Sequence, residues 1–397
     1  MIRKIIGWTF FSVFSLICIT WLSTLVFNAA KTESMRWGAK MIRAQMAQKA
    51  RGPIYIGVAG GLDGDEKSLL NGVTMALDEI NGDKGVLGRP VAIVPKDDQT
   101  TITTGMRVAQ DFADRLDVVA VIGHTSSMVS LSTAVIYEYY GLLMLSPLST
   151  NPALTRQGRK LVFRTIPTDE ADGVTLADYA AAQKYKRVVI YYLQDDYSRG
   201  LANIFESRCY DLDISIVDRI AYESTYKVTD IATDINQWKR QFTFDAILLA
   251  GLLPQAGEVI AQIRKAGITV PVLCGNSMDD EILLNSFGNT AENTVVVSSF
   301  DPASPQAQVQ QFVKAYTARY RTTPDLNAAQ GYDALKLLAH VIKEGNSTVP
   351  QKMAETLRNV KNWQGVTGPH TMNEQGDVVG KPMVLKVVRN GKFETVQ

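Results

Sequence analysis

The chain has 397 residues, 46% of them apolar, which is enough to bury cores for two domains or lobes and excludes an intrinsically disordered protein. Net charge is +1, but the first 52 residues hold eight Lys or Arg against Glu33, which leaves the remainder at −6. A mildly acidic body lacks the basic face that nucleic acid requires, so no nucleic-acid partner is expected.

Residues 5–27 form an uncharged apolar run of 23 residues, long enough to span a bilayer as a helix. The run is longer than a signal-peptide core, and its exit, Val26-Phe27-Asn28-Ala29-Ala30, offers no small-x-small cleavage box. An uncleaved anchor over 1–30 is therefore expected, followed by a basic juxtamembrane linker over 31–52. Arg3 and Lys4 precede the span and six basic residues follow it. Charge alone would then place the C-terminal body in the cytoplasm.

The body alternates strands and helices. Apolar spacing predicts a strand over 53–60, a helix over 66–81 with Leu69, Val73, Leu77 and Ile80 on one face, a strand over 91–94 and a helix over 103–115. The most informative stretch follows. It comprises a strand over 118–122, a turn at Gly123-His124-Thr125 and a helix opening at Ser126 or Ser127. A second apolar strand over 142–145 then ends in Ser146-Pro147-Leu148-Ser149-Thr150. Parallel strands joined by a helical crossover end on the same rim, where open α/β sheets bind ligands. A helix N-terminus there adds unpaired N–H groups suited to an anion. The plainer reading is an N-cap worth about 1 kcal/mol.

The segment Leu161 to Gly173 reads as a crossing into a second array. Helices over 171–184, 197–209, 230–240 and 254–266 alternate there with strands over 187–192, 214–220, 246–250, 270–274 and 294–298. Helices over 305–319, 327–342 and 350–360 then precede a turn-rich segment and two short strands. Alternation of this kind means parallel sheets with helical crossovers. Two such arrays with more than one crossing describe hinged lobes around a cleft.

Cys209 and Cys274 fall in apolar patterns and are expected as buried free thiols. His124, His340 and His370 are dispersed without metal-ligating spacing, so neither a metal nor a cofactor is expected. Ser127 and His124 do not form a hydrolytic pair in the expected fold, since there is no Gly-x-Ser-x-Gly elbow and the His lies only three residues earlier. The chain is read as a binder, not an enzyme. The Asp63-Gly64-Asp65-Glu66 turn is expected to cap the next helix with Asp65 near the cleft mouth, and Tyr137, Tyr139 and Tyr140 to serve packing.

A series of motifs runs in order along the body. It includes IGVAGGLDG from Ile56, Asn71-Gly72, Gly85-Val86-Leu87-Gly88, Asp97-Asp98, VIGH from Val121 and IYEYYGLLMLSP from Ile136. Phe163-Arg164-Thr165, Asp196-Tyr197-Ser198-Arg199-Gly200, Tyr332-Asp333-Ala334 and Gly368-Pro369 through Asp377 complete it. In this order the chain resembles type I periplasmic solute-binding proteins of the leucine/isoleucine/valine-binding branch over nearly all of residues 53–390.

The resemblance implies an α/β fold of two doubly wound Rossmann-like lobes joined by a multi-strand hinge. Lobe 1 would take 53–167 and 300–367, and lobe 2 would take 168–299 and 368–397. It also implies a periplasmic body on a bacterial inner membrane, against the charge count. A ligand carboxylate would be held by Ser127 and Thr150 with backbone from Leu148, and covered by Tyr197. Two positions depart from the family pattern: Asn276 stands where amino-acid binders carry a Glu for the α-ammonium, and Leu252 where a Tyr is frequent. An unpaired buried ammonium is costly. A standard branched-chain amino acid is therefore expected to bind poorly unless Asp65, Asp279 or Asp280 substitutes, and the expected ligand is a small carboxylate, amide or modified amino acid. The implied role is a membrane-anchored solute-binding protein that delivers its ligand to the permease of an ABC-type importer. The alternative is a ligand-sensing partner of a membrane receptor such as a sensor histidine kinase.

Overall fold

The computed structural model describes residues 38–62 and 67–396. The expected membrane span and Asp65 lie outside them. Among the described residues no helix is long and apolar enough to cross a membrane.

Residues 38–49 form helix α1, within the segment expected as a linker. It is docked, not free. Arg43 is fully buried, and its guanidinium donates to the carbonyls of Ala113, Arg115, Val118 and Tyr140 at 2.6 to 3.3 Å. Ala47 joins the first core, and Thr348 donates to its carbonyl. Burial lowers the Arg43 pKa to about 10, so the group stays cationic at neutral pH.

The first array runs β1 (Ile54–Gly60), α2 (Ser68–Gly82), β2 (Val91–Asp97), α3 (Ile102–Asp114), β3 (Val118–Ile122), α4 (Ser127–Tyr140), β4 (Leu143–Ser146) and β5 (Val162–Arg164). Its strands form one parallel sheet in the order β2-β1-β3-β4-β5. β3 and β4 are buried at every residue, as parallel strands covered on both faces must be.

The second array runs α5 (Asp169–Ala182), β6 (Arg187–Leu193), α6 (Asp196–Asp211), β7 (Ser215–Tyr222), α7 (Val228–Gln241), β8 (Ala246–Ala250), α8 (Gln255–Lys265), β9 (Val272–Cys274), α9 (Glu281–Phe287) and β10 (Thr294–Ser298). The chain returns to the first lobe in α10 (Ala307–Tyr320), α11 (Leu326–Glu344) and α12 (Pro350–Arg358). The pair β11 (Trp363–Gly365) and β12 (Gly368–His370) follows, and β13 (Val384–Arg389) and β14 (Lys392–Val396) end the fold. The second sheet is ordered β14-β13-β10-β9-β8-β6-β7, with β13 and β14 antiparallel to their neighbours. Its parallel part, β7-β6-β8-β9-β10, repeats the strand order of the first sheet. Cys209 and Cys274 are buried free thiols in this lobe.

Helices α2 and α11 approach backbone to backbone at two glycines. A Cβ on Gly72 would stand 1.9 Å from the Ala328 carbonyl oxygen, and one on Gly331 would stand 2.4 Å from that of Leu69. The lobe boundary expected at 368 falls later. Met372 and Val378 belong to the first core, Arg164 N donates to the Gly376 carbonyl, and the buried Arg164 pairs with Asp377 at 2.8 Å. The chain therefore leaves the first lobe between Val378 and β13.

Buried polar groups tie the crossings together. Gln330 accepts from Thr165 Oγ1 and donates to Ser299 Oγ. Lys381 Nζ donates to the Thr165 carbonyl, Thr367 Oγ1 and His370 Nε2 within 3.0 Å, which uses all three of its protons.

Candidate functional site

In a sheet of this strand order, the chain leaves the first and third strands toward opposite faces, and a crevice opens between the two loops. In lobe 1 that point lies between β1 and β3, and the loop after β3 supplies Thr125, Ser126 and Ser127. In lobe 2 it lies between β6 and β8, whose loops supply Asp195, Tyr197, Leu252 and Leu253. The two crevices face one another across a cavity of about 290 Å³. Small-molecule sites start at about 300 Å³, so the space suits a small ligand.

The lobe 1 wall is the start of α4. Ser126 is the N-cap in extended conformation, yet its side chain makes no capping bond. Ser127 is the first helical residue, and its Oγ accepts from Asn151 N at 3.3 Å. The loop is fixed from behind by His124, whose carbonyl accepts from the hydroxyls of Ser130, Ser146 and Ser149. Its buried ring donates from Nδ1 to Asp98 at 2.5 Å and accepts at Nε2 from Tyr137 at 2.8 Å. Both ring nitrogens are occupied away from Ser127, so His124 is not placed to act as a base toward that serine. Burial, reinforced by Asp98, pushes the Tyr137 hydroxyl pKa well up, so it remains the donor. Tyr137 thus orients the loop as well as packing.

Behind Ser127 lies a second polar pole. Thr150 is fully buried, and its carbonyl accepts from Asp169 N at 2.9 Å. Among the described residues, Thr150 Oγ1 and the Asp169 carboxyl have no hydrogen-bond partner beyond each other, and Asp172 Oδ1 has none. Burial raises the Asp169 carboxyl to about 7. The nearby Thr150 hydroxyl and Arg164 oppose the rise, while Asp195 and Glu170 add to it. Asp172 is pushed well above the usual carboxylate range by burial and by Asp169. Buried polar atoms left unpaired cost about 1–3 kcal/mol each, and such exceptions are few in folded proteins.

The lobe 2 wall carries Tyr197, Ser277 and Asn276. Tyr197 Oη and Ser277 Oγ are 3.0 Å apart, and Ser277 donates to the Gly251 carbonyl. Gly275 leaves room for this contact, since a Cβ there would stand 2.1 Å from the Tyr197 hydroxyl. Asn276 Nδ2 donates to Asp172 Oδ2 at 2.7 Å. The lobes meet directly where Asn151 Nδ2 donates to the Asp196 carbonyl and Thr322 donates to Glu281.

Residues 53–392 match the family of periplasmic binding proteins. The chain belongs to that family. An amino acid binding protein of Pseudomonas aeruginosa is 25% identical over 357 residues, covering 88% of this chain and 94% of that protein. The Leu/Ile/Val-binding protein of Escherichia coli is 26% identical over 82% of this chain and 88% of its own length. Among solved structures, an ABC transporter substrate-binding protein of Desulfitobacterium hafniense in complex with Leu is 39% identical. It has a TM-score of 0.77 and covers 87% of this chain and all (100%) of that one. A branched-chain amino acid transporter substrate binding protein of Streptococcus pneumoniae in complex with isoleucine is 26% identical, with a TM-score of 0.80, 87% coverage of this chain and 99% of its own.

The cavity of this periplasmic binding protein brings together five of the residues singled out in the sequence: Ser127, Leu148, Tyr197, Leu252 and Asn276. Thr150 lies behind them, and Asp65 is outside the described residues. Of the acids considered as stand-ins for the missing Glu, Asp280 reaches the cavity as the N-cap of α9. Asp279 does not, because Lys386 and Ser298 hold it in a buried cluster. The acids that sequence reasoning missed are Asp169 and Asp172. They fall in the segment read as a crossing, in a run that looks like ordinary first-turn acids complementing a helix dipole.

Proposed function

We propose that this protein is the ligand-binding component of an ABC-type importer and that its ligand is a small amino-acid-type zwitterion with an apolar side chain. Residues 5–27 anchor it in the inner membrane, and the body lies in the periplasm. The relatives named as Leu/Ile/Val-binding proteins, and the neighbour bound to Leu, support the ligand class. The observation that carries it is the buried pair formed by the Thr150 hydroxyl and the Asp169 carboxyl behind the start of α4, which among the described residues has no hydrogen-bond partner outside the pair. The ligand carboxylate meets the α4 N–H groups and Ser127. Its ammonium meets Thr150 and Asp169, and its side chain lies along Leu69, Leu148, Leu252 and Leu326. Asp169 supplies the carboxylate that Asn276 lacks, so a standard branched-chain amino acid is the expected ligand rather than an excluded one.

Calorimetry on the full-length chain in detergent, with leucine, isoleucine, valine and 4-methylpentanoate, tests this reading. At a hundredfold excess over Kd, a ligand raises stability by about 2.7 kcal/mol, which thermal unfolding also reports. If 4-methylpentanoate binds as tightly as leucine, the zwitterion reading fails. Unchanged uptake of the bound amino acid in a deletion strain would overturn the importer role. A periplasm-dependent reporter fused to the C-terminus must be active, and a silent one reverses the topology.

A further inference from the structure

The geometry points to Asp172 as a positioning residue that turns Asn276 so that its carbonyl, Oδ1, faces the ligand as a neutral hydrogen-bond acceptor. The inference rests on the zwitterion reading above and says how lobe 2 reads the amino group.

A primary amide has a donor end and an acceptor end on opposite sides of one bond. At Asn276 the donor end is committed, because Nδ2 points inward to Asp172 Oδ2 at 2.7 Å. This short bond onto a carboxyl fixed in the fold sets both the position and the sense of the amide. A carboxyl cannot offer this hold from solvent, and Asp172 is fully buried. The next residue, Gly173, packs α5 onto α6 so closely that a Cβ would stand 2.7 Å from Ile204 Cγ2. The carboxyl is therefore anchored by a rigid helix pair.

With Nδ2 turned in, Oδ1 is the end of Asn276 left for the cavity that the residue lines, and among the described residues it takes no hydrogen bond. Asp169 lies one helical turn before Asp172 and also sits behind the cavity. A carboxylate at position 276 would make a third acid around one ammonium. An amide gives that ammonium an acceptor without a further negative charge. The site is accordingly selective for a ligand with an N–H donor next to its carboxylate.

The measurement is the ratio of Kd values for 4-methylpentanoate and L-leucine, which share a carboxylate and a carbon skeleton and differ in the amino group. In full-length protein, Asp172→Asn should lower this ratio at least tenfold by weakening leucine, while 4-methylpentanoate changes less than threefold. Asn276→Leu should do the same, and the double variant should go no further than either single one. Asp172→Ser removes the carboxyl without adding volume and is read in the same way if Asp172→Asn fails to fold. A ratio that survives both Asp172 substitutions but falls in Asn276→Leu overturns the positioning role, as does a ratio unchanged in all of them. If the unsubstituted protein binds neither compound, the ligand reading itself falls and this inference with it.

Discussion

Leucine affinity should rise with pH between 5 and 8, through the ionisation of Asp169. Its carboxyl is raised from 3.8 to about 7 by burial, so in the empty protein it is largely protonated below neutrality. A tenfold change in an ionisation constant corresponds to about 1.4 kcal/mol, so ionising this group in the empty site costs on the order of 4 kcal/mol more than in water. An ammonium beside it favours the charged form and releases a proton on binding. Below pH 7 that proton must be removed first, and affinity falls up to tenfold per pH unit. Leucine should then bind about 100-fold more weakly at pH 5 than at pH 8. The stability of the empty protein should move the other way. A carboxyl with a raised folded pKa contributes its full stability near and below pH 4 and loses it as pH rises through 7. Calorimetry across this range on the parent protein and Asp169→Asn tests both trends. The substitution should flatten the affinity profile and weaken binding at pH 8 at least tenfold. Asp325 also titrates near 7, through burial and Asp280, so Asp325→Asn is the control and should keep the slope. An affinity that is flat from pH 5 to 8, or a slope that survives Asp169→Asn, refutes the role given to Asp169.

Thr150→Val removes the hydroxyl that holds down the raised Asp169 carboxyl, so it should push that carboxyl further up and weaken leucine tenfold or more. Calorimetry with leucine from pH 5 to 8 checks both effects, and an unchanged affinity contradicts the geometry. Arg43→Met strips four carbonyl acceptors of their donor and should cost at least about 3 kcal/mol in denaturant unfolding. It should also open new proteolytic cuts within residues 38–49. Gly72→Ala must push α11 away from α2 and should cost about 2 kcal/mol. Gly82→Ala has nothing within 4 Å of the added Cβ and should stay within about 1 kcal/mol of the parent by the same measurement.

The alternation of strands and helices was legible because buried parallel strands such as Val118–Ile122 are continuous apolar runs, while helices such as Ser68–Gly82 show one apolar face. Several short elements escaped for lack of length. Val162–Arg164, Trp363–Gly365 and Gly368–His370 are three residues each and Glu281–Phe287 is seven, too short for a period to emerge. At the site, hydroxyls at strand ends could be found because they cluster locally, as Ser127 and Thr150 do. Asp169 and Asp172 could not, because their chemistry comes from burial against α6 and Asn276, and Asn276 is 104 positions from Asp172. The relay of Asp98, His124 and Tyr137 joins residues 26 and 13 positions apart, whose only shared signal is their burial in the fold.

Helix α1 is bolted to the carbonyls of Arg115 and Val118, where β3 begins, whereas the cavity opens beyond Ile122, where β3 ends. A strand of five residues separates the two, roughly 16 Å. The N-terminal segment thus joins lobe 1 at its back, and the lobes are not mechanically equivalent. With the N-terminal anchor proposed above, the molecule would have a stator and a rotor: lobe 1 would keep a fixed bearing, and any swing of the lobes on ligand capture would be expressed by lobe 2. A partner that distinguishes filled from empty protein then needs to follow one moving face against a stationary one.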